Sequence, residues 1–369
     1  MNWYQLQNEA EIESPNLLVF PDRIQHNINF MLEKVGGDPK RLCPHVKTHK
    51  MKEVVQMQLE AGIERFKCAT IAELEMSLSV GATEVLVAYQ LVGPNIQRFV
   101  QLAQQYPDAT IASLVDNLDS ANQLATAFEA INRPANIYLD VDNGMHRSGF
   151  PLNEDTFLFI QSLNKIPFLN FKGLHVYDGQ FRSADVEERV TKSHQAFQPV
   201  YRLCQQIEGA LGIQPIIISG GSPSFSAAAE RENVYCSPGT TLFWDYGYSQ
   251  MVSETPYQWA AILMTRVISK PTEGVITLDL GHKAVGSENP LAKRIHFLNL
   301  EDYEATGHSE EHLVLKVKDW DAIRIGDVFY GVPYHVCPSV ALHEEAQVVR
   351  ENRVVETWSV VARKRKISV

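Results

Sequence analysis

Between Pro44 and Ser237 short apolar runs alternate with longer amphipathic stretches, and that alternation constrains the fold more than any other feature of the chain. The runs Pro44–Lys47, Phe66–Ala69, Glu84–Ala88, Thr110–Val115, Asn136–Asp142, Lys172–Tyr177, Pro215–Ser219 and Val234–Ser237 read as strands. Helical patterns separate most of them, at Ile71–Val80, Asn95–Gln105, Asn117–Ile131 and Ser183–Ile207. Strand–helix alternation requires a parallel sheet covered by helices. Eight such strands predict an α/β fold, a (β/α)8 TIM barrel. Beyond residue 250 the helical patterns stop, and Ala261–Ile268, Gly274–Asp279, His312–Val317, Asp327–Tyr330 and Glu345–Val349 look like short strands joined by tight turns. The expected division is a barrel over 15–250 and a mostly antiparallel β domain over 251–369, with residues 1–14 packing on the latter. Leu17–Phe20 fits either unit.

The 369 residues carry a formal net charge of -11, which repels phosphate backbones and argues against a nucleic-acid partner. No apolar run is long enough to span a bilayer. Met1 to Pro21 lacks a basic segment leading into an apolar stretch, so it does not read as a signal peptide. The five cysteines, Cys43, Cys68, Cys204, Cys236 and Cys337, are odd in number and widely spaced. They argue against a disulfide framework and for a reducing cytoplasm.

The sharpest local signal is Cys43-Pro44-His45-Val46-Lys47-Thr48-His49-Lys50. In a strand, Cys43, His45 and Lys47 share one face and Val46 takes the other. Lys47 then points into the barrel near the C-terminal end of the first strand, where barrel enzymes place their chemistry. A partly desolvated lysine is suited to forming a Schiff base. The competing reading is a surface loop rich in Lys and His. Two later strands tell against it, because Tyr138, Asp140 and Asp142 lie opposite Ile137, Leu139 and Val141, and His175 and Tyr177 lie opposite Leu174 and Val176. Titratable side chains converging on a barrel mouth mark a site, whereas a structural barrel interior is filled by Val, Ile and Leu.

Two glycine turns follow the last two strands: Ser219-Gly220-Gly221-Ser222, and Pro238-Gly239-Thr240-Thr241. Barrels bind phosphate between the loops after strands seven and eight, and glycine lets backbone approach an anion. Either turn alone is as readily an ordinary turn. In the second domain His335-Val336-Cys337, if extended, projects an imidazole and a thiol to one side, a pair suited to zinc. A buried His and a buried Cys with no special role is the alternative. His312 and His343 are further candidate ligands.

Taken in order, these segments resemble the D-threonine aldolase and D-serine dehydratase family of alanine-racemase-like, fold type III pyridoxal 5'-phosphate (PLP) enzymes. The resemblance rests on Pro44 to Lys50, Ala69-Thr70-Ile71-Ala72-Glu73, Asp140 to Gly149 with Gly144 and Arg147, Tyr177-Asp178-Gly179 and Ser219 to Ser222. It continues through Pro238-Gly239-Thr240, Asp279-Leu280-Gly281, Ser309 to His312 and His335 to Pro338, so it covers nearly the whole chain. It implies PLP held on Lys47 rather than Lys50, and Tyr177 or Arg147 beside the pyridine ring. Ser219, Gly220, Gly221, Ser222, Gly239 and Thr240 would lie around the phosphate, and His335 and Cys337 on a divalent metal, zinc first, with manganese or magnesium as alternatives. It also implies a homodimer acting on a small D-amino acid. One departure is Cys43, where the family often has arginine.

Two lyase routes follow from the resemblance. In dehydration Lys47 removes the α-proton and the metal draws off the β-hydroxyl. In retro-aldol cleavage the metal acidifies that hydroxyl and His45 or His175 takes its proton. Cys337 resembles the dehydratase branch more closely, which favours dehydration. The competing functions are an amino-acid racemase on the same scaffold, a non-catalytic PLP carrier, and a metal-dependent barrel hydrolase without PLP.

Overall fold

The computed structural model describes all residues from Met1 to Val369 and divides into two compact units. One comprises Met31–Lys47, Val55–Gly239 and Lys364–Val369; the other comprises Met1–Phe30, Thr48–Val54 and Thr240–Arg363.

The first unit is the barrel. Strands Arg65–Cys68, Glu84–Gln90, Thr110–Val115, Ala135–Asp142, Leu169–Val176, Ile216–Ser219 and Val234–Cys236 run side by side in chain order, every neighbouring pair parallel. The two-residue strand Phe150–Pro151 adds to the edge of Ala135–Asp142. Thr70 caps the helix Ile71–Ser79, Asn117 caps Leu118–Glu129 and Asp185 caps Val186–Leu211, each accepting a backbone N–H in the first turn. The last of these helices stops where Gly212 adopts a left-handed conformation.

The predicted first strand, Pro44–Lys47, is not a regular strand. Its place is taken by isolated parallel bridges, Leu42 to Cys236 and His45 to Lys67. Cys43 N–H donates to Cys236 O at 2.7 Å, His45 N–H to Pro238 O at 2.8 Å, and Val46 N–H to Lys67 O at 2.9 Å. The segment therefore joins the last strand to Arg65–Cys68 and closes the sheet on itself. Pro44 explains the irregularity, because it has no N–H to contribute to a ladder. Below the mouth, Cys43, Leu86, Ala112, Leu114, Tyr138 and Ile218 form an interior core layer.

The second unit is a nine-stranded sheet. Its main path is Tyr303–His308, Leu313–Val317, Val275–Leu278, Ala261–Thr272, Asn16–Val19, Glu345–Arg350 and Arg353–Ser359. Val328–Pro333 and Ile295–Phe297 branch from Ala261–Thr272. All pairings are antiparallel except Asn16–Val19 with Glu345–Arg350. Leu17–Phe20, open to either unit from sequence, falls here, and Leu18 and Phe20 pack with Tyr4, Leu6, Ile262, Met264 and Tyr330. No helix in the chain is long and apolar enough to cross a membrane, and all five cysteines are free.

A register shift between Ala135–Asp142 and Leu169–Val176 leaves Lys172 as an extra residue beside Gly173. At Gly173 a β-carbon would lie 1.9 Å from the carbonyl oxygen of Ile216, a backbone atom of the next strand. Gly173→Ala is accordingly expected to destabilise the protein by about 3 kcal/mol, read as a lowered midpoint in denaturant unfolding.

Candidate active site

The barrel mouth holds a cavity of about 450 Å³ lined by His45, Lys47, Lys67, Gln90, Arg147, Ser148, His175 and Tyr177, among others. Five residues singled out from sequence are therefore brought together: Lys47, His45, His175, Arg147 and Tyr177. Lys47 is half-buried. The Arg147 guanidinium carbon stands 4.8 Å from the centre of the Tyr177 ring, so the two candidates for the cofactor ring share one wall.

The electrostatic centre of the mouth is Asp140, which sequence reading placed on the polar face without giving it a role. Its Oδ1 accepts from His175 Nδ1 at 2.7 Å. Its Oδ2 accepts from Gln90 Nε2 at 2.8 Å and from Ser148 Oγ at 2.9 Å. Burial alone would raise the carboxyl pKa, but these donors outweigh burial and hold it below the ordinary value. An ionised carboxylate only accepts, so His175 carries its proton on Nδ1. Its Nε2 is then a bare acceptor, buried and without a partner. Burial lowers the His175 pKa, with Asp140 opposing and the Lys67 charge adding to the fall.

His45 has the opposite arrangement. Its Nδ1 accepts the backbone N–H of Lys47 at 3.3 Å, which leaves the proton of the neutral ring on Nε2. One histidine of the mouth is thus an acceptor and the other a donor.

The two glycine turns meet, since Gly239 N–H donates to Ser222 Oγ at 3.3 Å. The fit is close: a β-carbon at Gly221 would lie 2.9 Å from the Tyr177 ring, and one at Gly239 would lie 2.9 Å from His45 O. Ser219 Oγ is buried and has no partner. The Gly221 N–H is already taken by Asp178 Oδ1 at 3.3 Å, so it is not a free donor for an anion. An amine in a cavity, bare polar atoms at Ser219 and His175, and two glycine turns side by side fit a phosphorylated aldehyde cofactor.

In the β unit, His335 and Cys337 are near one another but not on an extended segment. His335 is the residue preceding the helix Val336–Leu342, and Cys337 lies in its first turn. Glu288, which sequence reading missed, bonds His335 Nδ1 at 2.5 Å. Thr48 Oγ1 lies 3.2 Å and Thr240 Oγ1 3.5 Å from Cys337 Sγ. The Thr240 side chain is thus set against the thiol. Burial opposes a charged His335, but the Cys337 thiolate and Glu288 outweigh it and raise its pKa to about 9. Burial raises the Cys337 pKa, and His335 with the two threonine hydroxyls outweighs it, leaving the thiol below its ordinary value. Asp245 accepts Val336 N–H at 3.1 Å and anchors the helix start. His312 is exposed, and His343 bonds Ala284 O at 2.8 Å. No group of three or more His, Cys, Asp or Glu side chains is arranged around an ion position. A thiol and an imidazole backed by a carboxylate fit an open site, and binding an ion would release the proton that the ring otherwise holds up to about pH 9.

Residues 19–247 match the family described as alanine racemase, N-terminal domain. The chain belongs to this family. Its cofactor is therefore PLP. Residues 260–349 match the serine dehydratase domain. The chain is 26% identical to the D-threonine aldolase of Arthrobacter sp, over 96% of this chain and 93% of that one. It is 23% identical to the D-threo-3-hydroxyaspartate dehydratase of Delftia sp. (strain HT23), over 94% and 97% of the two chains. The crystal structure of D-threonine aldolase from Filomicrobium marinum superposes with a TM-score of 0.87 at 23% identity, covering 96% of both chains. These full-length relatives are lyases. Similarity to the alanine racemase of Clostridium kluyveri, 23% identical, covers 62% of this chain and 55% of that one.

The His175 assignment has a direct readout. ¹⁵N NMR of the ring at pH 7 is expected to show a protonated Nδ1 and a bare Nε2, and Asp140→Asn to mix or invert that pattern. Because the folded-state pKa lies below the unfolded one, stability tied to neutral His175 is full above pH about 6.5 and falls as the solution is acidified.

Proposed function

We propose that this chain is a PLP-dependent lyase of small D-3-hydroxy amino acids, with Lys47 as the amine that carries the cofactor. The observation that carries this reading is the shared cavity, which Lys47 and His175 both line and whose Tyr177 and His45 walls the two glycine turns pack against. When bound, PLP supplies an electron sink for negative charge at the substrate Cα.

The protein's own groups then divide the work. The Lys47 amine would hold the cofactor, and its lone pair would serve as the base for the α-proton in elimination. In retro-aldol cleavage His175 Nε2, held as an acceptor by Asp140, would take the proton of the substrate β-hydroxyl, a step that elimination of water does not use. His45, whose Nε2 carries its proton, is a donor, so of the two histidines His175 is the better base. Ser219, whose hydroxyl is without a partner, and the Ser222–Gly239 contact would hold the phosphate, and Arg147 and Tyr177 would wall the ring.

His335 and Cys337 are the proposed protein ligands of a divalent metal, zinc in preference to manganese or magnesium. Such an ion would supply Lewis acidity toward the β-hydroxyl. Thr48, against Cys337, follows Lys47 directly in the chain, and Thr240 follows Gly239. One structural relative is D-threo-3-hydroxyaspartate dehydratase described in a metal-free form, which supports a metal in this group of proteins. The Cys337 thiol favours elimination of water. Retro-aldol cleavage is the second reading, favoured by the D-threonine aldolase and the 3-hydroxy-D-aspartate aldolase among the relatives. We take the working form to be a cytoplasmic homodimer with no nucleic-acid partner, in keeping with the net charge of -11.

Assays with D-serine, D-threonine and 3-hydroxy-D-aspartate, with and without a chelator, separate the readings. Ammonia with a keto acid marks elimination, and glycine with an aldehyde marks cleavage. Racemised amino acid alone would contradict the lyase assignment. Glu288→Gln is expected to weaken zinc binding by about 10- to 100-fold in a competition titration, since the carboxylate orients the imidazole.

A further inference from the structure

Lys67 was not distinguished by sequence reading, yet it lies in the same cavity as Lys47. It sits on the strand Arg65–Cys68, level with His45 across the bridge that closes the barrel. Its residue is 1% exposed. Nζ donates to Ser237 Oγ at 2.6 Å, and the centre of the Tyr177 ring is 5.7 Å away. An ammonium has three N–H donors, and Ser237 accepts one.

The two buried carboxylates whose charges reach Lys67 each bond other donors. Asp140 is held by His175, Gln90 and Ser148, and Asp178 by Gly221, Ser224 and Ser193. Asp178 and Asp140 act on the ammonium through space, with no hydrogen bond to it, so they offset the cost of burying the charge only in part. Burial pushes the Lys67 pKa down to about 8; Cys43, Asp178 and Asp140 oppose the fall and the Lys47 charge adds to it.

The hydroxyl that holds Lys67 also has a telling position. Ser237 N–H bonds Ser219 O at 2.8 Å, and Ser237 Oγ donates to the same oxygen at 3.2 Å. Ser237 directly precedes Pro238-Gly239, and Ser219 opens the other glycine turn. The ammonium is therefore fixed beside the two strand ends from which both turns depart, with spare donors in the cavity.

We propose that Lys67 is a second, non-covalent amine of the site, which binds an anionic oxygen of the occupant: the phosphate of the cofactor or the carboxylate of the amino acid. This rests on the PLP reading of Lys47. A purely structural Lys67 would serve Ser237 alone, and replacing it would alter stability without altering ligand preference.

The test uses the full chain and compares wild type, Lys67→Met, Lys67→Gln and Lys67→Arg. Binding of PLP and of pyridoxal, which lacks the phosphate, is measured by quenching of intrinsic fluorescence. Binding of D-serine and of ethanolamine, which lacks the carboxylate, is measured on the PLP-loaded protein by absorbance. If the anion is the phosphate, Lys67→Met and Lys67→Gln lose at least tenfold in PLP affinity while pyridoxal binding is unchanged. If it is the carboxylate, PLP binding holds and D-serine binding falls at least tenfold while ethanolamine binding is unchanged. In either case Lys67→Arg recovers much of the loss. Affinities within twofold of wild type for all four ligands in both neutral variants would overturn the assignment. A wild-type absorbance band that Lys47→Ala lacks marks the cofactor reading as sound independently of Lys67; a wild type that forms no such band removes both.

Discussion

The barrel mouth depends on one buried carboxylate, Asp140. An ionised carboxyl in that position is tolerated only because its oxygens are filled by donors from separate parts of the chain. His175 comes from the strand Leu169–Val176, Gln90 from the end of Glu84–Gln90, and Ser148 from the loop after Asp140's own strand. Gln90 also donates to Asp116 Oδ2 at 2.9 Å, so both protons of its amide are committed. A bulge between Val87 and Gln90 aims that amide, and Gly149 N–H joins the same Asp116 oxygen at 3.1 Å. Loss of the Asp140 charge would leave several donors unsatisfied at once and free the His175 ring to change tautomer.

From this follows a division of proton roles that neither histidine has by itself. His175 is forced to present a lone pair, while His45 is turned by the backbone of Lys47 to present an N–H. The proposed lyase chemistry would draw on both an acceptor and a donor near the amine. The structure provides them on two staves that face one cavity.

Much of the barrel was legible in sequence because period-two alternation and helix caps are local signals. Thr70, Asn117 and Asp185 each mark a helix start within a few residues. The alternation of Cys43, His45 and Lys47 predicts a regular strand; the segment does close the barrel, but through isolated bridges, because Pro44 breaks the ladder. His335 and Cys337 read as an extended pair, yet the run Val336–Leu342 is helical, capped by Asp245 from 91 residues earlier in the chain. Glu288 could not be found beforehand, because it reaches His335 across 47 residues that include four strands, and no local pattern links the two. Lys67 was within reach: in Arg65-Phe66-Lys67-Cys68 the alternation puts a cation on the inward face, where a barrel normally has Val, Ile or Leu.

The cavity holds two amines, Lys47 and Lys67, and only one of them can carry the cofactor. Borohydride reduction of the PLP-saturated protein, followed by peptide mass mapping, decides it most directly. A phosphopyridoxyl group on the peptide containing Lys47, and none on that containing Lys67, is the predicted result. Label on Lys67, or on neither lysine, would contradict it.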